Sequence, residues 1–213
     1  MDDLRETFDT LCSYNIKQNP GKCAFEMTVG KFLEFMVSQR SIEVNLDKIW
    51  AIIEMALLKN MKEVQSLNGK VAVLNRFVSR ATDKCLPFFR TLKKSFEWTT
   101  ECQQAFEDLK AYLSSPPLLS PSKPGEELFL YLAVSRAAVS ATLVREEDKV
   151  QKPMYYTNWA LRGVEERYPL MEKLVFVVVT TTRKLKPYFQ AHTVVILTNK
   201  PLRRAMSNPE AVR

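Results

Sequence analysis

Two carboxylates stand side by side near the start of the chain, at Asp2 and Asp3. Paired aspartates can hold two divalent metal ions when a tight turn between strands presents them together. Here the pair leads directly into a stretch in which Leu4, Phe8 and Leu11 recur at helical spacing. Because acidic residues are favoured at a helix N-terminus, the sequence predicts that this pair begins a helix and binds no metal.

Sulfur and nitrogen ligands for a structural metal are also few. The four cysteines, Cys12, Cys23, Cys85 and Cys102, show no paired short spacing, and His192 is the one histidine. A zinc knuckle or finger needs four closely spaced ligands. The sequence therefore predicts no structural metal. Scattered cysteines without a signal peptide favour an intracellular setting, cytoplasmic or nuclear.

The composition is that of a globular protein with an excess of basic residues. The chain has 213 residues, of which 46% are hydrophobic and 26% charged, and a formal net charge of +7 spread over its length. Such a balance favours a polyanionic partner such as nucleic acid. Apolar runs such as residues 175–179 are far too short to span a bilayer, so no membrane partner is expected.

A helix predicted at residues 61–81 carries side chains suited to such a partner. Its apolar face holds Val64, Leu67, Val71, Leu74 and Val78. The opposite side holds Gln65, Gly69, Arg76 and Arg80, with Lys62 nearby. A glycine inside a helix costs about 1 kcal/mol relative to alanine, so Gly69 needs a reason. Either another backbone or a nucleic-acid duplex approaches closely there, or the glycine permits close helix packing and the basic residues are simply solvated.

The first half of the chain is predicted to be mainly helical. A helix at residues 3–14 ends before a turn at residues 19–21, and strand-like runs at residues 23–27 and 31–37 flank a hairpin turn at Gly30. Asn45 or Asp47 can cap a helix that continues to residue 55, and the helix at residues 61–81 ends before Pro87.

The second half is predicted to combine helix and sheet. A helix at residues 96–113 begins near Thr99 or Thr100, and the Pro- and Ser-rich stretch at residues 116–125 marks a linker. Three strand-like runs follow at residues 128–134, 140–145 and 153–158, then a helix at 164–185 and a strand at 193–198. This order predicts a mixed α/β layer that stops where another helix would begin, so the last domain is expected to be incomplete.

The spacing of particular residues matches a known family along essentially the whole chain. In the first half the match includes Asn19-Pro20-Gly21-Lys22-Cys23-Ala24-Phe25. In the second half it includes Phe96-Glu97-Trp98, Ala105-Phe106, Leu109-Lys110, Leu113 and Pro117-Leu118-Leu119. With these motifs the chain closely resembles the Pol polyprotein of gypsy-type retrotransposons, particularly plant elements.

The resemblance implies a fragment of α+β or α/β fold. Its expected parts are the end of the reverse transcriptase palm with a partial hairpin at residues 1–44, a helical thumb at 45–95, and a connection and linker at 96–125. A truncated, degenerate ribonuclease H-like domain, with a mixed sheet and a helix, is expected at residues 126–213.

Ribonuclease H chemistry in this family uses acidic residues that hold two metal ions, Mg²⁺ in the parent enzymes. At the matching positions this chain has Ala133, Leu174 and Asn199. Glu172 lies two residues from Leu174, a shift that turns a helical side chain by about 200°. The resemblance therefore implies that the catalytic carboxylates are absent, that no cofactor is bound, and that this chain has neither nuclease nor polymerase activity.

The resemblance also implies where nucleic acid would bind. In the resembling polymerases a thumb-helix glutamine and glycine track the minor groove of the template-primer, and Gln65 and Gly69 occupy those positions. The expected nucleic-acid-binding residues are Lys62, Gln65, Gly69, Arg76 and Arg80. A hairpin that resembles the primer grip contributes Lys31, Phe32 and Phe35, although Glu34 replaces the usual glycine and would repel phosphate.

The preferred interpretation is a non-catalytic Pol fragment that binds an RNA–DNA duplex weakly, in a salt-sensitive and sequence-independent way. Two alternatives remain open. The chain can be the thumb-to-tether segment of an intact RNA-directed DNA polymerase, with its degenerate nuclease unit as a spacer before a second, active nuclease. It can also be a protein-interaction module, in which the apolar surface left by truncation supports docking or self-association.

Overall fold

The computed structural model describes residues 2–23, 28–32, 35–38, 41–91 and 96–207. The first half of these residues forms a small antiparallel sheet and a set of helices. Its elements in chain order are α1 (Asp2–Ser13), β1 (Val29–Phe32), β2 (Phe35–Ser38), β3 (Ile42–Val44), α2 (Leu46–Ile53), α3 (Met61–Val73), α4 (Ala81–Thr91) and α5 (Thr100–Ser114).

The second half forms a larger sheet of four strands with helices around it. Its elements are β4 (Leu128–Val134), β5 (Ala138–Glu147), β6 (Val150–Ala160), α6 (Leu170–Lys184), α7 (Lys186–Ala191), β7 (Val194–Leu197) and α8 (Leu202–Ser207). The predicted mixed fold of helices and sheet is confirmed. None of the helices in the described ranges has both the length and the apolar character that a bilayer-spanning segment requires.

Side chains that accept hydrogen bonds from the first turn set the start of several helices. Asn45 Oδ1 accepts from Asp47 N at 3.1 Å at the start of α2. Thr99 Oγ1 accepts from Cys102 N at 3.3 Å at the start of α5. These contacts satisfy N–H groups that have no partner inside the helix. Of the two candidates that the sequence offered at each start, the structure therefore selects Asn45 over Asp47 and Thr99 over Thr100.

The predicted hairpin turn at Gly30 is wrong. Gly30 lies inside β1, opposite Val37 of β2, and the two strands turn between Phe32 and Phe35. A glycine keeps both backbone hydrogen-bonding groups and so can pair in a ladder as well as turn, which is why the residue type alone did not locate the turn. Residues 24–27 of the other predicted strand lie outside the described residues.

The helix predicted at residues 61–81 is not one continuous helix. A first helix ends early, and a second helix begins at residue 81. α3 ends at Val73, and α4 begins at Ala81 and continues through Pro87. Between them Arg80 has a φ of 52°, a left-handed conformation that ends helical hydrogen bonding. Pro87 removes one hydrogen bond from α4. The buried side chain of Phe88 beside it stabilises that helix through packing.

One hydrophobic core spans the parts predicted as thumb and connection. It includes the fully buried Leu67 of α3, Phe88 of α4 and Leu109 of α5. Leu119 belongs to the same core with 0% exposure, and Ile42 N donates to its carbonyl at 2.8 Å. The Pro- and Ser-rich stretch is therefore not a free linker at Leu119, because burial of this apolar side chain fixes the chain there.

α6 covers one face of the larger sheet. The strand order is β6-β5-β4-β7, with β4 antiparallel to β5 and parallel to β7. Leu130 of β4 and Leu143 of β5 pack with Val177 of α6. The predicted limits of β4 are confirmed. The helix predicted at residues 164–185 begins later, with α6, because Pro169 has an extended conformation at its N-terminus.

The buried side chain of Asn158 in β6 joins the sheet to the helices. Its Oδ1 accepts from the backbone N–H of Ala81 at 2.9 Å, and its Nδ2 donates to Oδ1 of Asn75 at 2.8 Å. Nearby, Tyr156 N donates to the carbonyl of Arg76 at 3.1 Å. The segment between α3 and α4 thus covers the outer edge of β6 and pairs polar groups that an open edge would leave unsatisfied.

We expect Asn158→Ala to lower the free energy of unfolding by about 2 to 4 kcal/mol, because each buried group left without a partner costs about 1–3 kcal/mol. Urea unfolding of the full chain measures the change. The exposed Asn199 supplies the matched control, since Asn199→Ala should change stability by less than about 0.5 kcal/mol. Equal effects of the two substitutions would contradict this role of Asn158.

Glu147 at the end of β5 lies between two lysines. The ammonium groups of Lys123 and Lys152 both donate hydrogen bonds to its carboxylate. These hydrogen bonds, together with the two positive charges, lower the pKa of Glu147 from 4.5 to about 2. Lys123 lies in the segment before β4, so this contact holds that segment against the hairpin of β5 and β6.

The stability of the protein should depend on the ionisation of Glu147. Because the folded state has the lower pKa, the contribution is present above pH 4.5 and is lost as the pH falls toward about 2. Glu147→Gln should therefore be less stable than the wild type at neutral pH, and the difference should shrink through this window. Unfolding at a series of pH values measures it, with Glu146→Gln at the exposed neighbouring carboxylate as control. A difference that does not change with pH would contradict the prediction.

Candidate nucleic-acid interface

One side of α3 is exposed and polar while the opposite side is buried. Val64, Leu67 and Val71 face the core. Lys62, Gln65 and Gly69 are exposed, and helical periodicity places them on the side opposite the buried residues. The predicted division of this helix into a buried and an exposed face is therefore confirmed as far as Val73, where α3 ends.

The surface above Gly69 is open. A Cβ added at this position would meet no heavy atom of a neighbouring element within 4 Å. Close packing of another helix therefore does not explain the glycine, and that alternative is wrong for the described structure. The backbone of α3 is therefore accessible at one point of its exposed face, at Gly69. The glycine costs about 1 kcal/mol relative to alanine and allows no close packing within the described residues in return.

The sequence had predicted that Arg76 and Arg80 extend this helical face. That prediction is wrong, because α3 ends before both residues. Arg80 is exposed and its Nε lies 3.0 Å from Oδ2 of Asp83. The guanidinium of Arg76 lies over the ring of Tyr155, with Cζ 4.5 Å from the centroid. Its Nη2 donates to the hydroxyl of Tyr188 at 3.5 Å. The structure therefore separates Arg76 from the face that carries Gln65.

The hairpin that resembled a primer grip contributes to the core. The ring of Phe35 packs against that of Phe77, with centroids 5.5 Å apart, so Phe35 is a packing residue and not an exposed contact for a primer. Lys31 and Phe32 belong to β1, but their side chains lie outside the described part of the structure. Glu34 lies outside the described residues.

The three positions that match the family carboxylates lie in different surroundings. Ala133 is exposed on β4 and stands opposite Ser140 of β5. Leu174 is 5% exposed and packs in a cluster with Leu132, which neighbours Ala133 on β4. Because side chains alternate along a strand, the Ala133 side chain points away from that cluster. Asn199 is exposed beyond the end of β7.

A buried cation lies close to the end of β4. Lys173 is 6% exposed, and its Nζ donates to the carbonyl of Arg136 at 3.0 Å and to that of Ser135 at 3.5 Å. The sequence motif included Lys173, but its contact was not predicted. A lysine next to the apolar residues of α6 is the signal that could have suggested it.

These surroundings do not fit the Mg²⁺ of the parent family. Alanine and leucine side chains offer no ligand atom, and hard divalent ions require oxygen ligands. An ammonium group near the end of β4 would in addition repel a divalent cation. Within the described residues, no three His, Cys, Asp or Glu side chains form a group that could hold a metal ion.

Comparison with protein families bears on the second half of the chain. Residues 98–196 match the model of the RNase H-like domain found in reverse transcriptase. This region, slightly less than half of the chain, is similar to that domain. Its sheet of β4 to β7 with α6 is the part of the structure that the match contains, together with α5.

Relatives with similar sequences are retrotransposon polyproteins. The chain is 24% identical over 191 residues to the transposon Tf2-3 polyprotein of Schizosaccharomyces pombe, a match that covers 88% of the chain and 14% of the polyprotein. The Tf2-4 polyprotein of the same organism matches to the same extent. The chain thus spans about one seventh of the length of these relatives. They are fungal, so an origin in a plant element stays a prediction.

Solved structures with the same fold are viral reverse transcriptases. The foamy viral protease-reverse transcriptase in complex with double-stranded DNA has a TM-score of 0.65 at 18% identity, covering 86% of this chain and 39% of the viral one. The same viral protein in complex with an RNA/DNA hybrid has a TM-score of 0.66 at 18% identity and covers 91% of this chain and 27% of the viral one. At this identity the likeness shows the fold.

Proposed function

We propose that this chain is the thumb, connection and ribonuclease H-like part of a gypsy-type retrotransposon Pol polyprotein, and that it binds RNA–DNA duplex without sequence preference. The proposed parts are the end of the palm at residues 1–44, the thumb at 45–95, the connection at 96–125 and the ribonuclease H-like domain at 126–213. The proposed setting is intracellular, in the cytoplasm or the nucleus.

The observation that carries the proposal is the exposed face of α3 with open space above Gly69. A residue without a side chain lets the backbone of another molecule approach the helix closely. The wide, shallow minor groove of an A-form duplex presents such a surface. The net charge of +7 favours the approach of a polyanion, and the foamy viral proteins of the same fold were solved with duplexes bound.

Each exposed residue of the face has a chemical role in this proposal. Lys62 would neutralise a phosphate, and that contact releases counterions and makes binding sensitive to salt. The side-chain amide of Gln65 would donate to acceptors at the edges of the bases in the minor groove, which are similar for different base pairs. Gly69 would lie closest to the sugar-phosphate backbone. Arg80 forms an ion pair with Asp83 and lies beyond the end of α3. It would add long-range electrostatic attraction to the duplex.

Substitutions at Gly69 should change stability and binding in opposite directions. Gly69→Ala should raise the free energy of unfolding by about 1 kcal/mol and weaken the binding of an RNA–DNA hybrid, because the new methyl group stands where the duplex approaches. Gly69→Leu should weaken binding further. Fluorescence anisotropy with a labelled hybrid and urea unfolding measure the two effects. Unchanged or tighter binding in both variants would remove the α3 face from the interface.

The charge on Lys62 should appear in the salt dependence of binding. Lys62→Met should make the slope of log K against log salt concentration less steep by about 1, as expected for one lost phosphate contact. Lys200→Met removes the same charge at an exposed position after β7 and should leave the slope unchanged. Equal slopes for Lys62→Met and the wild type would contradict a phosphate contact at Lys62.

We further propose that the chain does not hydrolyse RNA in a hybrid. The support is the donor set at the three matching positions, where Ala133 and Leu174 have no ligand atoms and Asn199 has no charge. A neutral site does not hold two divalent ions close together. Glu172 lies in the first turn of α6, at a position turned by about 200° from that of Leu174.

We expect no cleavage of an RNA–DNA hybrid by the full chain in Mg²⁺ or Mn²⁺ above that of a protein-free control, measured on a denaturing gel. A preparation of Glu172→Ala, made in parallel, distinguishes a contaminating nuclease from the chain itself. Metal-dependent cleavage that disappears in Glu172→Ala would overturn the proposal. Cleavage that is equal in both preparations would come from a contaminant and would leave the chain without activity.

A second candidate function is that of one segment in an active RNA-directed DNA polymerase. The support is the coverage of the relatives, since 88% of this chain matches only 14% of a polyprotein. In that case the ribonuclease H-like part would act as a spacer before an active nuclease. An upstream open frame with a Tyr-x-Asp-Asp motif at the same locus would favour this candidate, and a stop codon there would exclude it.

A further inference from the structure

Two cations lie against one tyrosine ring where the helices meet the larger sheet. Tyr155 is in β6, Arg76 in the segment between α3 and α4, and Lys184 at the end of α6. Arg76 Cζ lies 4.5 Å and Lys184 Nζ 5.7 Å from the centre of the Tyr155 ring. The hydroxyl of Tyr188 accepts from Arg76 at 3.5 Å, so a third polar group lies beside Arg76.

Neither cation is neutralised within the described residues. The ion pairs found there do not include Arg76 or Lys184. The Nε of Arg76 is buried and has no hydrogen-bond partner. Desolvation lowers the pKa of the Lys184 ammonium group, although Lys184 itself is exposed. Arg76 is half-buried, with its guanidinium over the rings of Tyr155 and Phe35. A half-buried cation without a counter-charge is costly, because it loses hydration and gains only modest contacts with the rings.

We propose that Arg76, Lys184 and the hydroxyl of Tyr188 form an anion site, and that its ligand is a phosphate group of the nucleic-acid backbone. The assignment of the ligand rests on the proposed duplex binding and extends it to a second contact outside α3. A guanidinium presents several N–H donors in a fixed plane and binds phosphate at two points. The ammonium and the phenol add donors, and a phosphate has enough oxygen atoms to accept from all three groups.

The position of the site suits one continuous ligand. Arg76 follows Gly69 by seven residues, four of them in α3 and three in the segment beyond it. At about 1.5 Å per helical residue and at most about 3.6 Å per extended residue, the two positions lie within about 17 Å. A duplex with one phosphate per about 3.4 Å of strand axis covers that distance in about five base pairs.

Thermal unfolding in inorganic phosphate and in chloride at equal ionic strength tests the site itself. Phosphate should raise the Tm of the wild-type chain above its value in chloride, because a ligand that binds only the folded state stabilises it. Lys184→Met and Tyr188→Phe should lose most of this increase. Lys200→Met should keep it, since Lys200 follows β7, at the opposite edge of the sheet from β6. An increase in Lys184→Met equal to that of the wild type would overturn the proposal.

Two variants keep the test independent of folding. Lys184→Met retains the apolar stem and removes an exposed charge that has no ion pair within the described residues, so its Tm in chloride should stay close to that of the wild type. Arg76→Lys keeps the charge but loses the planar group, and should bind phosphate more weakly than the wild type while remaining folded. A lower Tm in chloride for Lys184→Met would contradict the view that its charge is uncompensated.

Titration with an RNA–DNA hybrid distinguishes backbone phosphate from free phosphate. If the backbone is the ligand, the hybrid should displace inorganic phosphate, and Lys184→Met should make the salt slope of hybrid binding less steep by about 1. Phosphate stabilisation that the hybrid does not displace would overturn the assignment to nucleic acid. If the hybrid binds through α3 and Lys184→Met behaves as the wild type in both assays, this inference fails while the proposed function stands. If the wild type binds no hybrid at all, the proposed function fails, and with it the nucleic-acid ligand.

Discussion

The hydrogen bonds of Asn158 hold the two halves of the molecule together. One side-chain amide in an outer strand satisfies backbone and side-chain groups of the segment between α3 and α4. A second link has the same effect just after the end of β4, where Ser135 Oγ donates to Asp83 of α4 at 2.8 Å. Because the segment must present its polar groups to β6, it cannot continue as helix. The break after Val73 and the inward position of Arg76 both follow from this constraint.

The same organisation explains why the fold of the larger sheet does not depend on a bound metal ion. The sheet is stabilised by apolar contacts of β4 and β5 with α6 and by the link at Asn158, none of which requires a metal ion. Leu174 adds to a small apolar cluster with Val178 and Leu202, and Lys173 bonds to carbonyl groups after β4. Residues at the start of α6 therefore serve packing and hydrogen bonding in this chain.

The basic character of the chain is divided between two different surfaces. The exposed face of α3 combines one lysine with an amide and an open glycine, which suits a shallow contact that is indifferent to sequence. At the junction of helices and sheet, the half-buried Arg76 and the exposed Lys184 lie against the same Tyr155 ring, which suits a more confined anion. A net charge alone does not distinguish these cases, because it contains no information on burial.

The sequence by itself determined the local features of this protein. The helix starts near Asn45 and Thr99, the buried face of α3 and the limits of β4 depend on hydrogen bonds and periodicities that act over a few residues, and the motifs along the chain indicated the reverse transcriptase fold. Only the tertiary structure decided which candidate caps each helix, the break between α3 and α4, the packing of Phe35 against the core, the burial of Leu119 and the surroundings of Arg76. These depend on contacts between residues far apart in the chain, such as Asn75 with Asn158, separated by 83 positions. No local pattern records such a pairing, because its energy arises only when the sheet and the helices have come together.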